Sequence, residues 1–115
     1  MKQILELTTT YKQERLVVLE SGLVFTLGLE YVVNQMGWFY YILFGKFATH
    51  GNRLVTSSNI LRQYKNILPF GVAVMTIDGT DPFLIDDFVT GRVRVFTLNS
   101  DDVNFIEATL YNGNA

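Results

Sequence analysis

The stretch from Trp38 to Gly45 places four aromatic residues and three further large apolar side chains in succession, with no charge before Lys46. A helix that crosses a bilayer needs about 20 apolar residues, so this run is too short to span a membrane. Its aromatic content and its flanking glycines favour a β-strand that is buried on both faces. Alternate side chains of a strand point to opposite faces, and here both sets are apolar. Both faces therefore need cover, either from this chain or from a neighbouring subunit.

The composition is that of one small domain with more apolar material than usual. At 115 residues the chain has the length of a single domain, so we treat residues 1–115 as one unit. Hydrophobic residues make up 49% of the sequence and charged residues 17%, below the roughly 25% of an average globular domain. Obligate assembly with other subunits would explain this excess of apolar residues.

The charge pattern and the absence of cysteine narrow the functional classes. The net charge is −2 and no basic run occurs, so the sequence does not indicate nucleic-acid binding. No residue is cysteine, which excludes disulfides and thiolate metal sites. Glu6 interrupts the N-terminus where a signal peptide would continue its apolar core. We therefore expect a protein that is used without export through a signal peptide.

Short apolar runs separated by turn signals predict six or seven strands. The predicted strands are residues 4–7, 15–20, 23–33, 38–44, 53–56, 72–77 and 92–98, and the turn signals fall at residues 21–22, 34–37, 50–52 and 78–82. Segments 23–33 and 38–44 are predicted to pair as a hairpin. Many short strands with glycine-containing turns are typical of a small antiparallel β-sandwich or barrel.

The strand at residues 23–33 has the clearest alternation in the sequence. Phe25, Leu27, Leu29 and Tyr31 share one face, whereas the intervening residues are mostly small or polar. This pattern predicts a half-buried strand. Gly28 within it marks a bulge, a bend or a close neighbour.

Three further segments are expected to supply one or two short helices. Residues 57–68 are compatible with a helical turn capped by Ser58 or Asn59 and equally with an extended chain, and residues 83–88 are compatible with one helical turn. In the tail at residues 99–115, Ser100 or Asp101 is placed to cap a helix that carries Val103, Ile106 and Leu110, with Gly113 after its end. Alternation in the tail also permits a strand, and we favour the helix.

The search for catalytic and metal-binding residues yields two candidates. His50 is the single histidine, and a histidine in a turn without a positioned partner is not expected to act as a base or to bind zinc. Asp78, Asp81, Asp86 and Asp87 form the dense carboxylate cluster, but their spacing does not match a calcium-binding loop. We expect Asp78 and Asp81 to build turns and the pair at 86–87 to be solvated. We predict no catalytic residue, no cofactor and no metal; a metal-dependent enzyme that uses this cluster is the remaining enzymatic hypothesis.

The aromatic run and two arginines are the candidate contact residues. Arg92 and Arg94 lie two residues apart in a predicted strand and therefore share a face, where they would pair with acids of a partner or of the next strand, or remain solvated. The predicted interface residues are Trp38, Tyr40, Tyr41, Arg92 and Arg94. In the alternative function, a small ligand-binding β-barrel, the aromatic residues at 38–41 would line a cavity of roughly 300 Å³ or more.

The segment from Leu68 to Leu98 resembles the small baseplate plug proteins of contractile-tailed bacteriophages. The resemblance rests on residues 68–74 (Leu-Pro-Phe-Gly-Val-Ala-Val), on residues 78–82 (Asp-Gly-Thr-Asp-Pro), and on residues 91–98 (Gly-Arg-Val-Arg-Val-Phe-Thr-Leu). Residues 1–7, 23–31, 37–44 and 53–56 follow the same layout, so that residues 1–98 are covered in order. The chain differs in its richer aromatic content at 38–41 and in its tail beyond Leu98.

This resemblance implies a mainly β structural protein of the virion, assembled in the host cytoplasm. It would lie centrally in the tail baseplate and contact hub, spike, wedge and tail-tube proteins as part of a symmetric oligomer or hetero-assembly. The family's layout implies neither catalysis nor a cofactor.

Overall fold

A computed structural model describes residues 1–110 and forms two antiparallel sheets that pack face to face, with one α-helix. The strands are β1 (Lys2–Gln3), β2 (Lys12–Val18), β3 (Val24–Val32), β4 (Gly37–Phe44), β5 (Phe47–Arg53), β6 (Gly71–Thr76) and β7 (Val93–Leu98), and the helix is α1 (Ser100–Leu110). Short 3₁₀ turns occur at Val33–Gln35 and Arg62–Tyr64. The predicted small antiparallel β-sandwich with six or seven strands is confirmed.

The larger sheet is a meander in the order β2-β3-β4-β5. Its central pair is the predicted hairpin of β3 and β4, in which Val32 lies opposite Gly37 and Thr26 opposite Leu43. The 3₁₀ turn between them ends at Met36, whose positive φ of 46° reverses the chain. The hairpin between residues 23–33 and 38–44 is therefore confirmed.

The smaller sheet joins the two ends of the chain in the order β1-β7-β6. Lys2 of β1 lies opposite Thr97 of β7. The free edge of β6 is covered by residues 57–60, because the amide of Ser57 donates to Val74 O at 3.0 Å and that of Ile60 to Val72 O at 2.8 Å. Residues 57–68 contain a 3₁₀ turn at Arg62–Tyr64 and otherwise no regular helix.

The core lies between the two sheets and is filled by the inward side chains of both. The alternation predicted for β3 is confirmed, since Phe25, Leu27 and Leu29 are buried. Phe25 stacks on Phe70 at a centroid distance of 4.3 Å, which links the larger sheet to the residues that precede β6. Full burial of a side chain of this size stabilises the fold by about 1.5–3 kcal/mol. In the aromatic strand β4, the inward side chains Trp38, Tyr40 and Ile42 are also buried, so this face is covered by the chain itself.

The turn predicted at residues 50–52 is wrong, because these residues lie inside β5. The true hairpin turn after β4 is at Gly45, and the register of β4 with β5 shifts between Tyr40 and Ile42. Gly51 has φ of +71° at this shift, which is the left-handed conformation of a glycine in a β-bulge. A glycine with positive φ therefore marks a bulge in β5 rather than the end of a strand.

Several predicted boundaries also change. The opening strand covers residues 2–3 instead of 4–7, the second covers 12–18 instead of 15–20, and only Arg53 of the predicted strand 53–56 belongs to a strand. Residues 83–88 form turns without a helix. The ends of these segments depend on contacts with residues that are distant in the sequence. A local sequence pattern does not contain this information.

The favoured helix in the tail is confirmed over residues 100–110. Its cap is Asn99, rather than Ser100 or Asp101: Asn99 Oδ1 accepts the Asp102 amide at 2.8 Å, and the Asp102 carboxylate accepts the Asn99 amide at 3.2 Å. Val103 is buried against Ala73 and Leu98 of the smaller sheet. The predicted glycine cap at position 113 lies outside the described residues.

Candidate interaction surface

The predicted carboxylate cluster is organised around Arg92. The Asp87 carboxylate is fully buried, and it accepts hydrogen bonds from Arg92 Nε and Nη2, each at 2.8 Å. It also accepts the backbone amides of Phe83 and Leu84, both at 2.8 Å. The expectation that residue 87 is solvated is therefore wrong; a buried carboxylate is tolerated here because Oδ1 accepts one hydrogen bond and Oδ2 accepts three.

The remaining contacts of Arg92 tie together the loop between β6 and β7. Its Nη1 donates to Asp78 Oδ1 at 2.9 Å and to Thr80 O at 3.1 Å, and its Nη2 donates to Asp81 O at 3.1 Å. The guanidinium carbon lies 4.7 Å from the centroid of the Phe83 ring, which adds a cation–π contact. Arg92 thus acts as an internal clamp and not as a solvated arginine of a strand face.

The electrostatics of this loop favour the ionised acids. Burial acts to raise the pKa of Asp87, but the hydrogen bonds from Arg92 and from the Leu84 and Phe83 amides outweigh it and hold the pKa below its usual value. The pKa of Asp78 is also lowered, mainly by the hydrogen bond from the Thr80 amide, which confirms the predicted turn role of this aspartate. Across residues 1–110 no three His, Cys, Asp or Glu side chains are grouped so that they could hold a metal ion.

Two of the predicted interface residues are part of the core. Trp38 is 0% exposed, and its Nε1 donates to Leu84 O at 3.0 Å, while its ring contacts Phe88 at 4.8 Å. Tyr40 is also buried, and burial raises the pKa of its phenol to about 12. These two side chains offer no surface to a partner of the folded chain, and Arg92 is held by its own loop, so the interface prediction is left to Tyr41 and Arg94.

Tyr41 lies on the opposite face of β4 and covers Gly28 of β3. A β-carbon added to Gly28 would meet the tyrosine ring. The close neighbour predicted at Gly28 is therefore the ring of Tyr41. The Tyr41 hydroxyl donates to the carboxylate of Glu14 on β2, and this bond raises the pKa of the tyrosine. The ring also stacks on exposed His50 at 5.5 Å. Tyr41 therefore bridges β2, β4 and β5 on the outside of the larger sheet.

We call the outward-facing side chains of β2–β5 the outer sheet face. One end of it is apolar: the strand registers place Leu16, Thr26, Leu43 and Ala48 in one row and Val18 opposite Val24 in the next. Leu16 is 72% and Val18 58% exposed, so the described part of the chain leaves this end open to solvent. The other end is charged, with Lys12, Glu30, Phe39 and Arg53 in a row and the Arg53 guanidinium 5.6 Å from the Phe39 ring centroid.

The sequence analysis missed the apolar members on β2. Leu16 and Val18 fall on alternate positions of a strand that starts at Lys12, and a prediction that began at residue 15 did not separate them from inward Val17. The signal that could have revealed them is the pair of charged residues at positions 12 and 14. Charged side chains favour the solvent-facing side of a strand, so the even positions of this strand point outward.

Arg94 lies on the outer side of the smaller sheet. It is exposed, and together with Met75, Ile77, Arg92 and Phe96 it lines a shallow cavity of about 200 Å³. An apolar groove of about 340 Å³ lies next to it, between α1 and β6, with Phe105 and Met75 at its walls. None of the cavities described above is lined by residues 38–41. No helix within residues 1–110 combines the length and the apolar character needed to cross a membrane.

Comparisons with known proteins do not place the chain in a family. No protein-family model matches it, and a search of the curated proteins finds no match.

Proposed function

We propose that this protein is a structural component of a phage tail baseplate, which acts through protein–protein contacts and without catalysis. The proposal starts from the resemblance of residues 1–98 to the baseplate plug proteins of contractile-tailed phages. Its partners are the hub, spike and wedge proteins and the tail tube, and its place is the virion.

The observation that carries the proposal is the open apolar end of the outer sheet face. Leu16 remains exposed there in the row that contains Leu43, and Val18 and Val24 remain exposed in the next row. A contiguous apolar patch bordered by charged residues is typical of a surface that binds another protein. The patch is an exposed face of a sheet, whereas small-molecule sites are concave pockets.

The internal use of the acids supports a role without catalysis. Asp87 accepts four hydrogen bonds from its own loop, and Asp78 is bound to Arg92 and Thr80. A metal-dependent reaction would need carboxylate oxygens that are free to bind the ion. These oxygens instead stabilise the loop between β6 and β7.

The test of this proposal is co-purification with a baseplate hub protein, which the proposal expects a neighbouring gene to encode. The chain and the tagged hub are expressed together, and the complex is measured by native mass spectrometry. We expect a complex with the unaltered chain and its loss when Leu43→Glu places a charge in the apolar row, because an unpaired charge at an interface core is costly.

The matched control is Ile67→Glu, which adds the same charge at an exposed apolar residue outside the outer sheet face. Ile67→Glu is expected to leave the complex intact. Mass spectrometry of purified phage particles supplies a second measurement. Absence of the chain from the particles, or a hub complex that Leu43→Glu and Ile67→Glu affect equally, would contradict the proposal.

A further inference from the structure

The four sheet edges of the described chain are protected to very different degrees. β1 is only two residues long, the edge of β6 is covered by residues 57–60, and β5 is interrupted by the bulge at Gly51. β2, in contrast, runs for seven residues and pairs with β3 without a shift in register. Proteins usually protect exposed edges by short strands, bulges or cover, since an open edge can pair with another chain.

The backbone groups that β2 leaves unpaired are those of its even-numbered residues. The amide of Tyr31 donates to Tyr11 O at 2.7 Å and that of Leu19 to Leu23 O at 2.8 Å, so the odd positions of this segment form the hydrogen-bonded pairs with β3. In an antiparallel ladder the intervening residues point their amides and carbonyls to the other side. Lys12, Glu14, Leu16 and Val18 therefore present a row of donors and acceptors along the free edge.

A groove separates this edge from the N-terminal segment of the same chain. It has a volume of about 260 Å³ and lies between residues 2–6 and residues 15–18. Leu5 on one side and Leu16 on the other are exposed. No backbone hydrogen bond within residues 1–110 crosses this groove, so the outward amides and carbonyls of β2 are left for the strand of another chain.

We propose that a second copy of this chain pairs with β2, antiparallel and about a two-fold axis at Leu16. The two larger sheets then join into one sheet of eight strands across the dimer. The pairing is isologous, because the same residues serve on both sides.

The charges along β2 are compatible with this register and disfavour three of its neighbours. With the axis at Leu16, Glu14 lies opposite Val18 of the copy, and Lys12 lies opposite Glu20 of the copy, so that the only charged pair opposes unlike charges. Like charges that lie directly opposite one another are destabilising in a sheet. An axis at Glu14 or at Arg15 would place that residue opposite itself, and an axis at Val17 would oppose Glu14 to Glu20.

The same register also covers apolar surface. Leu16 of each copy lies against Leu16 of the other, and the apolar ends of the two outer sheet faces become continuous. About six backbone hydrogen bonds form along the joined edge. This dimer is a state of the free chain before assembly, so the inference goes beyond the proposed function. A phage tail has a direction, and two subunits paired about a two-fold axis would have to separate before they enter it.

Site-specific crosslinking tests the register directly, because the chain contains no cysteine of its own. Leu16→Cys brings the two thiols together at the axis, and we expect it to form a disulfide-linked dimer under mild oxidation. In the matched control Glu14→Cys, the two α-carbons lie roughly 14 Å apart, since four residues separate them along the strands. A disulfide needs α-carbons within about 7 Å, so this variant is expected to remain uncrosslinked.

Light scattering at high micromolar concentration provides the second test. The unaltered chain is expected at twice its mass of 13.1 kDa. Leu16→Pro removes the amide that points to the free edge but none that pairs with β3, so it is expected to give a monomer with an unchanged circular dichroism spectrum. If this variant does not fold, the crosslinking comparison decides alone.

Three results would overturn the proposal. They are a monomeric unaltered chain at high micromolar concentration, a folded Leu16→Pro variant that still dimerises, and crosslinking of Glu14→Cys as complete as that of Leu16→Cys. A defect in hub binding alone does not affect this proposal, because the dimer is measured in the isolated chain.

Discussion

Gly28 and Tyr41 lie opposite one another in β3 and β4, and the ring of the tyrosine occupies the place where a β-carbon at position 28 would be. The ring thereby covers a part of the strand that has no side chain, and its hydroxyl reaches Glu14 on β2. An aromatic residue that covers a cross-strand glycine fixes the register of both strands.

Gly28→Ala is expected to destabilise the fold because the methyl group displaces the Tyr41 ring. We expect the free energy of unfolding to fall by about 1–3 kcal/mol in urea titrations, as for other overpacked sites. In the background of Tyr41→Ala the same change should be neutral or stabilising by about 0.5 kcal/mol, since alanine is favoured over glycine in a strand. An equal cost in both backgrounds would show that the ring is not the cause.

Asp87→Asn is expected to be strongly destabilising because it leaves the partly buried Arg92 without its closest counter-charge. Removal of one partner of a buried ion pair costs about 3 kcal/mol or more, and urea titration at neutral pH measures this loss. The control is Asp86→Asn at the exposed neighbouring position, where we expect a change within about 0.5 kcal/mol. Similar costs at the two positions would contradict the buried ion pair.

The lowered pKa of Asp87 predicts that the folded chain loses stability in acid. The folded chain holds the pKa of Asp87 below its usual value, so this aspartate contributes stability at pH values above the unfolded pKa of 3.8. That contribution is lost as the pH falls through the lower, folded pKa. Thermal melts of Asp87→Asn below pH 4 should therefore show a shallower loss of stability than those of the unaltered chain. Parallel pH profiles would argue against this linkage.

Asn59→Ala removes an acceptor that serves two separate segments. Asn59 Oδ1 is buried and accepts the amides of Leu61 at 3.0 Å and Val72 at 3.2 Å, which attaches residues 57–61 to β6. Two unsatisfied amides should lower the free energy of unfolding by about 2–3 kcal/mol in urea titrations. Asn66→Ala, at an exposed position, is the control and should change it by less than about 0.5 kcal/mol.

The raised pKa of Tyr40 predicts that the folded chain loses stability at alkaline pH. Burial raises the pKa of its phenol from 10.0 to about 12, so its contribution is complete below pH 10 and declines as the pH rises through 12. The loss over this interval is roughly 2–3 kcal/mol. Tyr40→Phe should remove this dependence in alkaline melts, whereas Tyr11→Phe at an exposed position should retain it. Tyrosinate absorbance of the folded chain should show late titration of Tyr40 and Tyr41, since both pKa values are raised.

The elements that sequence analysis identified correctly are those whose apolar residues recur with the period of a strand or of a helix. Phe25, Leu27 and Leu29 alternate with small or polar residues, and this period alone predicted the buried face of β3. The tail contained both a helical stripe and an alternation, and packing of Val103 against the smaller sheet agrees with the helix. The sandwich class followed from the number of short strands.

The features that were missed depend on contacts between distant segments. Asp86 and Asp87 are equivalent in the sequence, yet only Asp87 is directed inward, because the loop that ends at Arg92 folds over it. Gly51 is compatible with a turn or a bulge until the register of β4 is known. Within the candidate surface Tyr41 was predicted, whereas Leu16 and Val18 emerged only once β2 was seen to start at Lys12.

The pairing of Lys2 with Thr97 bears on how the chain is made by the ribosome. The meander β2–β5 consists of consecutive hairpins and can close while the rest of the chain is still being synthesised. Strand β1, by contrast, waits until β7 has emerged before its partner exists. Residues 2–3 are thus made before the meander but reach their place after it, and a tag fused before Met1, whose amino group pairs with Asp102 at 2.7 Å, would disturb the later step of folding rather than the earlier one.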